Sequence, residues 1–90
     1  MYMDKVKEFA ENNVAEAKNT LGIAYMTGEE VERDEERAVY WFHCTASQGN
    51  LETMANYGMS LLFGQGIKKD IGAALYVLES VYLLRNERIS

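Results

Sequence analysis

Hydrophobic residues recur at intervals of three and four positions along most of the chain. Three such stretches are Met3, Val6, Phe9 and Ala10; Ala17, Leu21, Ala24 and Tyr25; and Ala38, Trp41, Phe42 and Ala46. An α-helix has about 3.6 residues per turn, so this spacing places each stretch on one face of a helix. The pattern therefore predicts a chain of consecutive amphipathic helices.

Many residues return 36 positions further along the chain. Identical pairs at this offset are Gly22 and Gly58, Gly28 and Gly64, Asp34 and Asp70, Ala38 and Ala74, and Tyr40 and Tyr76. A fixed period between about 20 and 50 residues is typical of a stacked repeat array. The sequence thus predicts two equivalent repeats.

Each repeat is expected to contain two helices joined by a loop. Gly28 can adopt the left-handed conformation that ends the first helix, and Asp34 can accept a free backbone N–H where the second begins. Gly64 and Asp70 repeat this arrangement in the second repeat. These four residues are therefore assigned structural roles.

Gly22 and Gly58 fall inside predicted helices, where a glycine costs about 1 kcal/mol relative to alanine. Their recurrence at one place in both repeats favours close contact between helices as the compensating gain. They too are assigned structural roles.

The predicted fold is all-α, a short right-handed α-solenoid of antiparallel helix pairs with five helices in a single domain. Residues 1–13 form a preceding half repeat, residues 14–49 the first repeat and residues 50–85 the second. Residues 86–90 are expected to be a tail.

Charge and composition limit the partners that the chain can have. Nine basic residues against 14 acidic ones give a net charge of −5, which repels nucleic acid and allows a basic protein partner. The single cysteine cannot form an internal disulfide, which favours a reducing compartment. We find neither a secretory signal nor a membrane-spanning stretch, and we expect a cytoplasmic protein.

The first repeat resembles the Sel-one-like repeat (SLR), a relative of the tetratricopeptide repeat. The residues that carry the resemblance are Ala15, Ala17, Leu21, Gly22, Tyr25, Gly28, Val31, Asp34, Ala38, Trp41, Ala46 and Gly49. The second repeat matches at Gly58, Gly64, Gly66, Asp70 and Ala74, whereas Glu30 replaces a loop glycine in the first. The resemblance implies a helical scaffold that binds other proteins and has no shared catalytic residues.

A direct search for enzyme sites leads to the same expectation. His43 is the only histidine, without the ligand spacing of a zinc site. Cys44 is adjacent to it, and neighbouring residues on a helix point about 100° apart, which disfavours a thiol and base pair. No phosphate-binding glycine loop is found. We predict no catalytic residues, no cofactor and no metal.

One candidate partner-binding surface is the acidic run between the helices of the first repeat. Six of the 14 acidic residues lie within residues 29–36. Glu29, Glu30 and Glu32 could steer a basic partner, while a merely solvated loop is the alternative.

A second candidate surface is the last helix, where eight of the ten residues from Leu75 to Leu84 are apolar. Leu83 and Leu84 replace the polar Ser47 and Gln48 of the first repeat, so the terminal repeat lacks a polar outer face. Three outcomes are open: a homodimer through this helix, packing on another protein, or a tail that folds back over it.

A third candidate is the pair Met59 and Phe63, which correspond to Ile23 and Thr27. They either belong to the core or extend an apolar surface along the side where superhelical repeats receive ligands.

The resulting prediction is a non-enzymatic protein–protein interaction module, an adaptor or regulator that uses a helical repeat surface. An alternative is a stoichiometric inhibitor, an immunity-type protein that masks a basic toxin. A small enzyme is a third reading, which the absence of a paired nucleophile and base disfavours.

Overall fold

The computed structural model describes residues 2–89, with side chains through residue 87. It consists of five α-helices, and no strand occurs among the described residues. The helices are α1 (Tyr2–Glu11), α2 (Ala15–Thr27), α3 (Glu35–Ala46), α4 (Leu51–Phe63) and α5 (Ile71–Ile89). The predicted all-α fold with five helices is confirmed.

The helices stack in chain order. The main contacts join each helix to the one that follows it, as expected for a solenoid. The stack measures 39 × 30 × 16 Å. The core cluster comes from α1, α2 and α3: Met3, Val6, Ala10, Ala17, Leu21, Ala24, Tyr25, Ala38 and Phe42.

The two loops within the repeats have the same geometry. Gly28 ends α2 with φ 79° and Gly64 ends α4 with φ 68°, the left-handed region that favours glycine. In the first loop the backbone N–H of Asp34 donates to the carbonyl of Tyr25 at 2.8 Å. The equivalent bond of Asp70 in the second loop is 2.9 Å long.

Both second helices begin at an aspartate cap. The Asp34 carboxylate accepts from the backbone N–H of Arg37 at 3.1 Å, and the Asp70 carboxylate accepts from that of Ala73 at 3.0 Å. Each cap satisfies a backbone donor that the first turn of a helix leaves without a partner.

Gly22 and Gly58 lie where the helices of a pair come closest together. A Cβ atom on Gly22 would lie 2.5 Å from Cε1 of Phe42, and one on Gly58 would lie 2.8 Å from Cδ2 of Leu78. Neither distance leaves room for a methyl group. Close packing of the helices therefore compensates for the low helix propensity of each glycine.

Helix α5 extends beyond the limit that the sequence pattern indicated. It continues through residues 86–89, where the sequence predicts a tail, so these residues do not fold back over α5. This segment contains no glycine or proline, and arginine and glutamate are good helix formers, so nothing stops the helix there. Ser90 lies outside the described residues. Helix α5 is the longest described helix, and neither it nor any other described helix is apolar enough to span a membrane.

The contact at Gly22 gives a testable prediction. Gly22→Leu is expected to lower the free energy of unfolding by about 2 kcal/mol, because the Phe42 ring must move to admit the side chain. Urea unfolding measures this change. Gly72→Ala is the control: its Cβ would meet only Asp70 Oδ1 at 3.7 Å, so the helix gains propensity without a clash. An equally stable Gly22→Leu variant would contradict the packing assignment.

A buried hydroxyl gives a second prediction. Thr53 is fully buried and its Oγ1 has no hydrogen-bond partner. Thr53→Val keeps the shape and removes the unsatisfied group, so the free energy of unfolding should rise by about 1 kcal/mol.

The control for this variant is Thr45→Val. Thr45 is equally buried, but its hydroxyl donates to the carbonyl of Trp41 at 2.8 Å. Loss of that hydrogen bond should cancel the gain in the free energy of unfolding. If both variants change this free energy equally, the unsatisfied Thr53 hydroxyl is not what destabilises the natural chain.

Candidate protein-binding surfaces

A groove lies between α2 and α4, the first helices of the two repeats. We call it the α2–α4 groove; its volume is about 200 Å³. Its lining residues are Ile23, Met26, Thr27, Phe42, Asn56, Met59, Ser60 and Gln65. Ile23 and Met59 are 36 positions apart and are 37% and 42% exposed, so equivalent apolar side chains of both repeats face one groove.

Acidic residues flank one end of this groove. Glu16 and Glu52, also equivalent in the repeat, line an adjoining depression together with Ile23. Both carboxylates are exposed and lie in the first turns of α2 and α4. The surface between α2 and α4 thus combines apolar anchors with a negative rim.

A polar cluster that sequence reasoning missed supports the groove. Asn56 Nδ2 donates to Oδ1 of Asn19 at 3.1 Å across the two helices. Lys18 is buried next to it in the chain and donates to Oδ1 of Asn13 and, at 3.3 Å, to Oε1 of Gln48. These bonds tie α2 to α4 and to the turns that precede each of them.

Comparison of the two repeats could have identified Lys18 as a residue that faces inward. Its equivalent in the second repeat is the apolar Met54, which indicates an inward position, although lysine is rarely buried. For Asn19 this signal was weaker, because its equivalent Ala55 is apolar but small.

Phe63 does not line the groove, unlike Met59 one turn before it. It is exposed at the end of α4, whereas its equivalent Thr27 is among the lining residues. The structure therefore brings Met59, but not Phe63, together with Ile23.

The acidic run is largely an exposed loop between α2 and α3. Among residues 2–89, no ion pair involves Glu29, Glu30 or Glu32, and all three are exposed. Glu30 has φ 65°, the left-handed conformation that Gly66 adopts at the equivalent place. Glu30 thus keeps the loop shape without the glycine and projects a carboxylate there.

Two other acids of the run, Asp34 and Glu35, pair with nearby basic groups. Arg33 pairs with Glu35, and Arg37 Nε lies 3.8 Å from Asp34 Oδ2. The guanidinium of Arg37 also lies 5.4 Å from the Tyr25 ring centre. A hydrogen bond with the Tyr25 hydroxyl and the charge of Asp34 raise the pKa of Arg37. The acids of the run that have no ion pair are therefore Glu29, Glu30, Glu32 and Glu36.

Helix α5 carries six of the 13 exposed large apolar side chains of the described residues, which makes it the most apolar surface. They are Ile71, Leu75, Tyr76, Tyr82, Leu83 and Leu84. The candidates Leu83 and Leu84 are thus exposed, but larger exposed fractions belong to Leu75, Tyr76 and Tyr82.

His43 and Cys44 have ordinary surroundings. The His43 ring packs edge-on against Tyr57 at 5.4 Å, and Cys44 is half-buried and free. The described part of the chain contains no group of three side chains that could hold a metal ion.

Comparison with known proteins gives matching results for sequence and structure. The Sel1 repeat family matches residues 15–50 and 51–76, more than half of the chain. A protective antigen of uropathogenic Escherichia coli that displays an SLR fold superposes with a TM-score of 0.88 at 29% identity. That match covers 91% of this chain and 18% of the antigen.

A Sel1 repeat protein from Oxalobacter formigenes is similarly close. It superposes with a TM-score of 0.85 at 26% identity, and the match covers 92% of this chain and 62% of that protein. The chain is therefore shorter than both of these structures. Its 36-residue period, its paired helices and both matched segments show that it belongs to the Sel1 repeat family, whose members are generally non-catalytic protein-interaction scaffolds.

Proposed function

We propose that this protein is a non-enzymatic adaptor or regulator that binds a basic segment of another protein in the α2–α4 groove. The proposal rests on one observation: Ile23 and Met59, which are equivalent residues of the two repeats, line the same groove. Glu16 and Glu52 lie beside this groove. Apolar anchors supply most of the affinity in protein interfaces, and surrounding charges select the partner.

The size of the groove favours a peptide over a small metabolite. Its volume of about 200 Å³ is below the roughly 300 Å³ at which small-molecule sites begin. A shallow groove of this size holds a few side chains of a longer segment, with the rest of the segment lying across α2 and α4.

Charge favours a basic partner. The net charge is −5, and three acids without ion pairs lie together in the loop of residues 29–32, which begins two positions after the groove residue Thr27. Long-range attraction of this kind raises association rates and weakens with salt.

The inhibitor of a basic toxin remains the narrower alternative, in which the same acidic surface masks the partner's active site. A toxin whose activity returns on addition of salt would favour it over an adaptor. The single free cysteine supports a cytoplasmic location in either case. A homodimer through α5 is a separate proposal, because it uses a different surface from the groove.

Selection from a phage-displayed library of random peptides tests the groove. We expect peptides that combine lysine or arginine with large apolar residues, and we expect Met59→Glu or Ile23→Glu to weaken their binding at least about 10-fold. Both side chains are partly exposed, so the variants should fold, which circular dichroism verifies.

Tyr76→Glu is the matched control, because Tyr76 is an exposed apolar residue on α5, away from the groove. Peptides that bind both groove variants as well as the natural chain would exclude the groove as the binding site.

The acidic loop gives a kinetic prediction. Reversing the charges of Glu29, Glu30 and Glu32 to lysine should slow the association of a selected basic peptide about 10-fold at low salt and change its dissociation rate little. Stopped-flow fluorescence separates the two rates. Reversal of Asp4, Glu8 and Glu11 on α1 changes the net charge by the same amount and is the control. Association rates that change neither in the loop variant nor with salt would exclude a steering role.

A further inference from the structure

The surface between α2 and α4 is built from two matching rows of side chains. Each row holds an acid, an asparagine and an apolar residue, in this order along its helix: Glu16, Asn19 and Ile23 on α2, and Glu52, Asn56 and Met59 on α4. Within a row the residues are three or four positions apart, so they lie on one face of the helix. The two acids share the depression and the two apolar residues share the groove, so the rows lie side by side in the same direction.

The acidic end of the rows is open to a cation. Glu16 and Glu52 are exposed, and neither forms an ion pair within the described part of the chain. No basic residue is among the described residues that line this depression. Lys18 is buried, and its ammonium group donates to two amide side chains instead. A lysine or arginine of a partner can therefore place its charge beside two carboxylates.

The asparagines in the middle of the rows carry hydrogen-bonding groups that the fold does not use. Asn19 is only 7% exposed, and its Oδ1 accepts from Asn56 Nδ2 at 3.1 Å. This one hydrogen bond of the described fold leaves Asn19 Nδ2 and Asn56 Oδ1 without a partner. An amide group of a peptide backbone offers one donor and one acceptor, which match these two atoms. Because Asn19 lines the depression and Asn56 lines the groove, the pair lies where the two meet.

The length of the rows sets the length of the segment that spans them. Glu16 and Ile23 are seven positions apart, as are Glu52 and Met59, which is about 10 Å along a helix that rises about 1.5 Å per residue. An extended chain covers about 3.3 Å per residue, so about three residues span this distance. A helical segment would need about seven, and its backbone groups would already be paired within the helix. The unused atoms of the asparagine pair therefore favour an extended segment.

We propose that the α2–α4 groove binds an extended peptide segment in which a lysine or arginine stands three positions from a large apolar residue. The basic side chain lies beside Glu16 and Glu52, and the apolar side chain packs against Ile23 and Met59. The backbone between them bonds to the asparagine pair. The segment thus has a fixed spacing and an extended backbone, features that rest on the groove function proposed above and go beyond it.

Alignment of the peptides selected on the natural chain tests the spacing. We expect a lysine or arginine three positions from a large apolar residue. Inserting one alanine between the two should weaken binding at least about 10-fold by fluorescence polarisation, because both side chains can then no longer reach their sites together. The same alanine added at either end of the peptide is the control and should have little effect. A spacing of seven residues in peptides that bind as helices would contradict the extended segment.

A double-mutant cycle tests the acidic end. The combined change Glu16→Gln and Glu52→Gln should weaken a selected peptide about 5-fold. Replacing the basic residue of the peptide with glutamine should then have no further effect on this variant. Asp4→Asn with Glu11→Gln on α1 is the matched control, because it removes the same charge from exposed acids outside the groove. Additive losses in the cycle would place the basic residue elsewhere and overturn the proposal.

Backbone esters test the asparagine pair without changing the protein. An ester in place of a peptide bond removes one N–H donor, and at one bond between the basic and apolar residues we expect binding to weaken about 5-fold. The same replacement outside this stretch is the control. In Asn56→Leu the ester should have no further effect, because the acceptor is already absent. An ester that weakens binding equally in this variant would exclude the asparagine pair as the backbone's partner.

The response to Met59→Glu separates failure of the extended segment from failure of the groove function. Peptides that lose binding to this variant, but show neither the three-residue spacing nor coupling to Glu16 and Glu52, retain the groove function and refute the extended segment. Peptides that bind Met59→Glu as well as the natural chain refute both. Circular dichroism verifies that each variant is folded.

Discussion

The close approach of the two helices in each repeat, at Gly22 against Phe42 and at Gly58 against Leu78, fixes how the rest of the chain can be arranged. A methyl group at either glycine would force the facing Phe42 or Leu78 side chain to move. Because the same contact occurs in both repeats, α2 and α4 have equivalent orientations and expose equivalent residues on the same side of the solenoid. The α2–α4 groove depends on this equivalence, since its two main apolar residues come from equivalent positions.

The two loops share one backbone shape but carry different charges. Glu32 in the first loop corresponds to Lys68 in the second, and Lys68 lines a cleft beside Asp34 and Glu36. The repeat therefore constrains backbone conformation and leaves side-chain charge free to vary. In this chain the negative potential belongs to the loop of the first repeat and is partly compensated by Lys68 in the loop of the second.

Much of the fold could be predicted from the sequence, because helix spacing and the 36-residue recurrence are local patterns. The end of α5 could not, since the charged residues after Leu84 are equally compatible with a tail and with a helix. The family was also predictable, from the first repeat alone.

The candidate surfaces were predictable only in part. Met59 was identified because its repeat equivalent is apolar, but the buried Lys18 and Asn19 depend on contacts with Gln48 and Asn56 that are distant in sequence. On α5, comparison of polarity between repeats pointed to Leu83 and Leu84. Exposure in the structure is larger at Leu75, Tyr76 and Tyr82, and exposure is known only once the stack is built.

The α2–α4 groove also has a mechanical consequence. Its walls belong to different repeats, so any occupant that contacts both Ile23 and Met59 must bridge them. The Asn19–Asn56 hydrogen bond already joins α2 to α4, and such a bridge would strengthen this link between the two repeats. Binding then stabilises the folded solenoid, so its melting temperature should be higher when the groove is occupied.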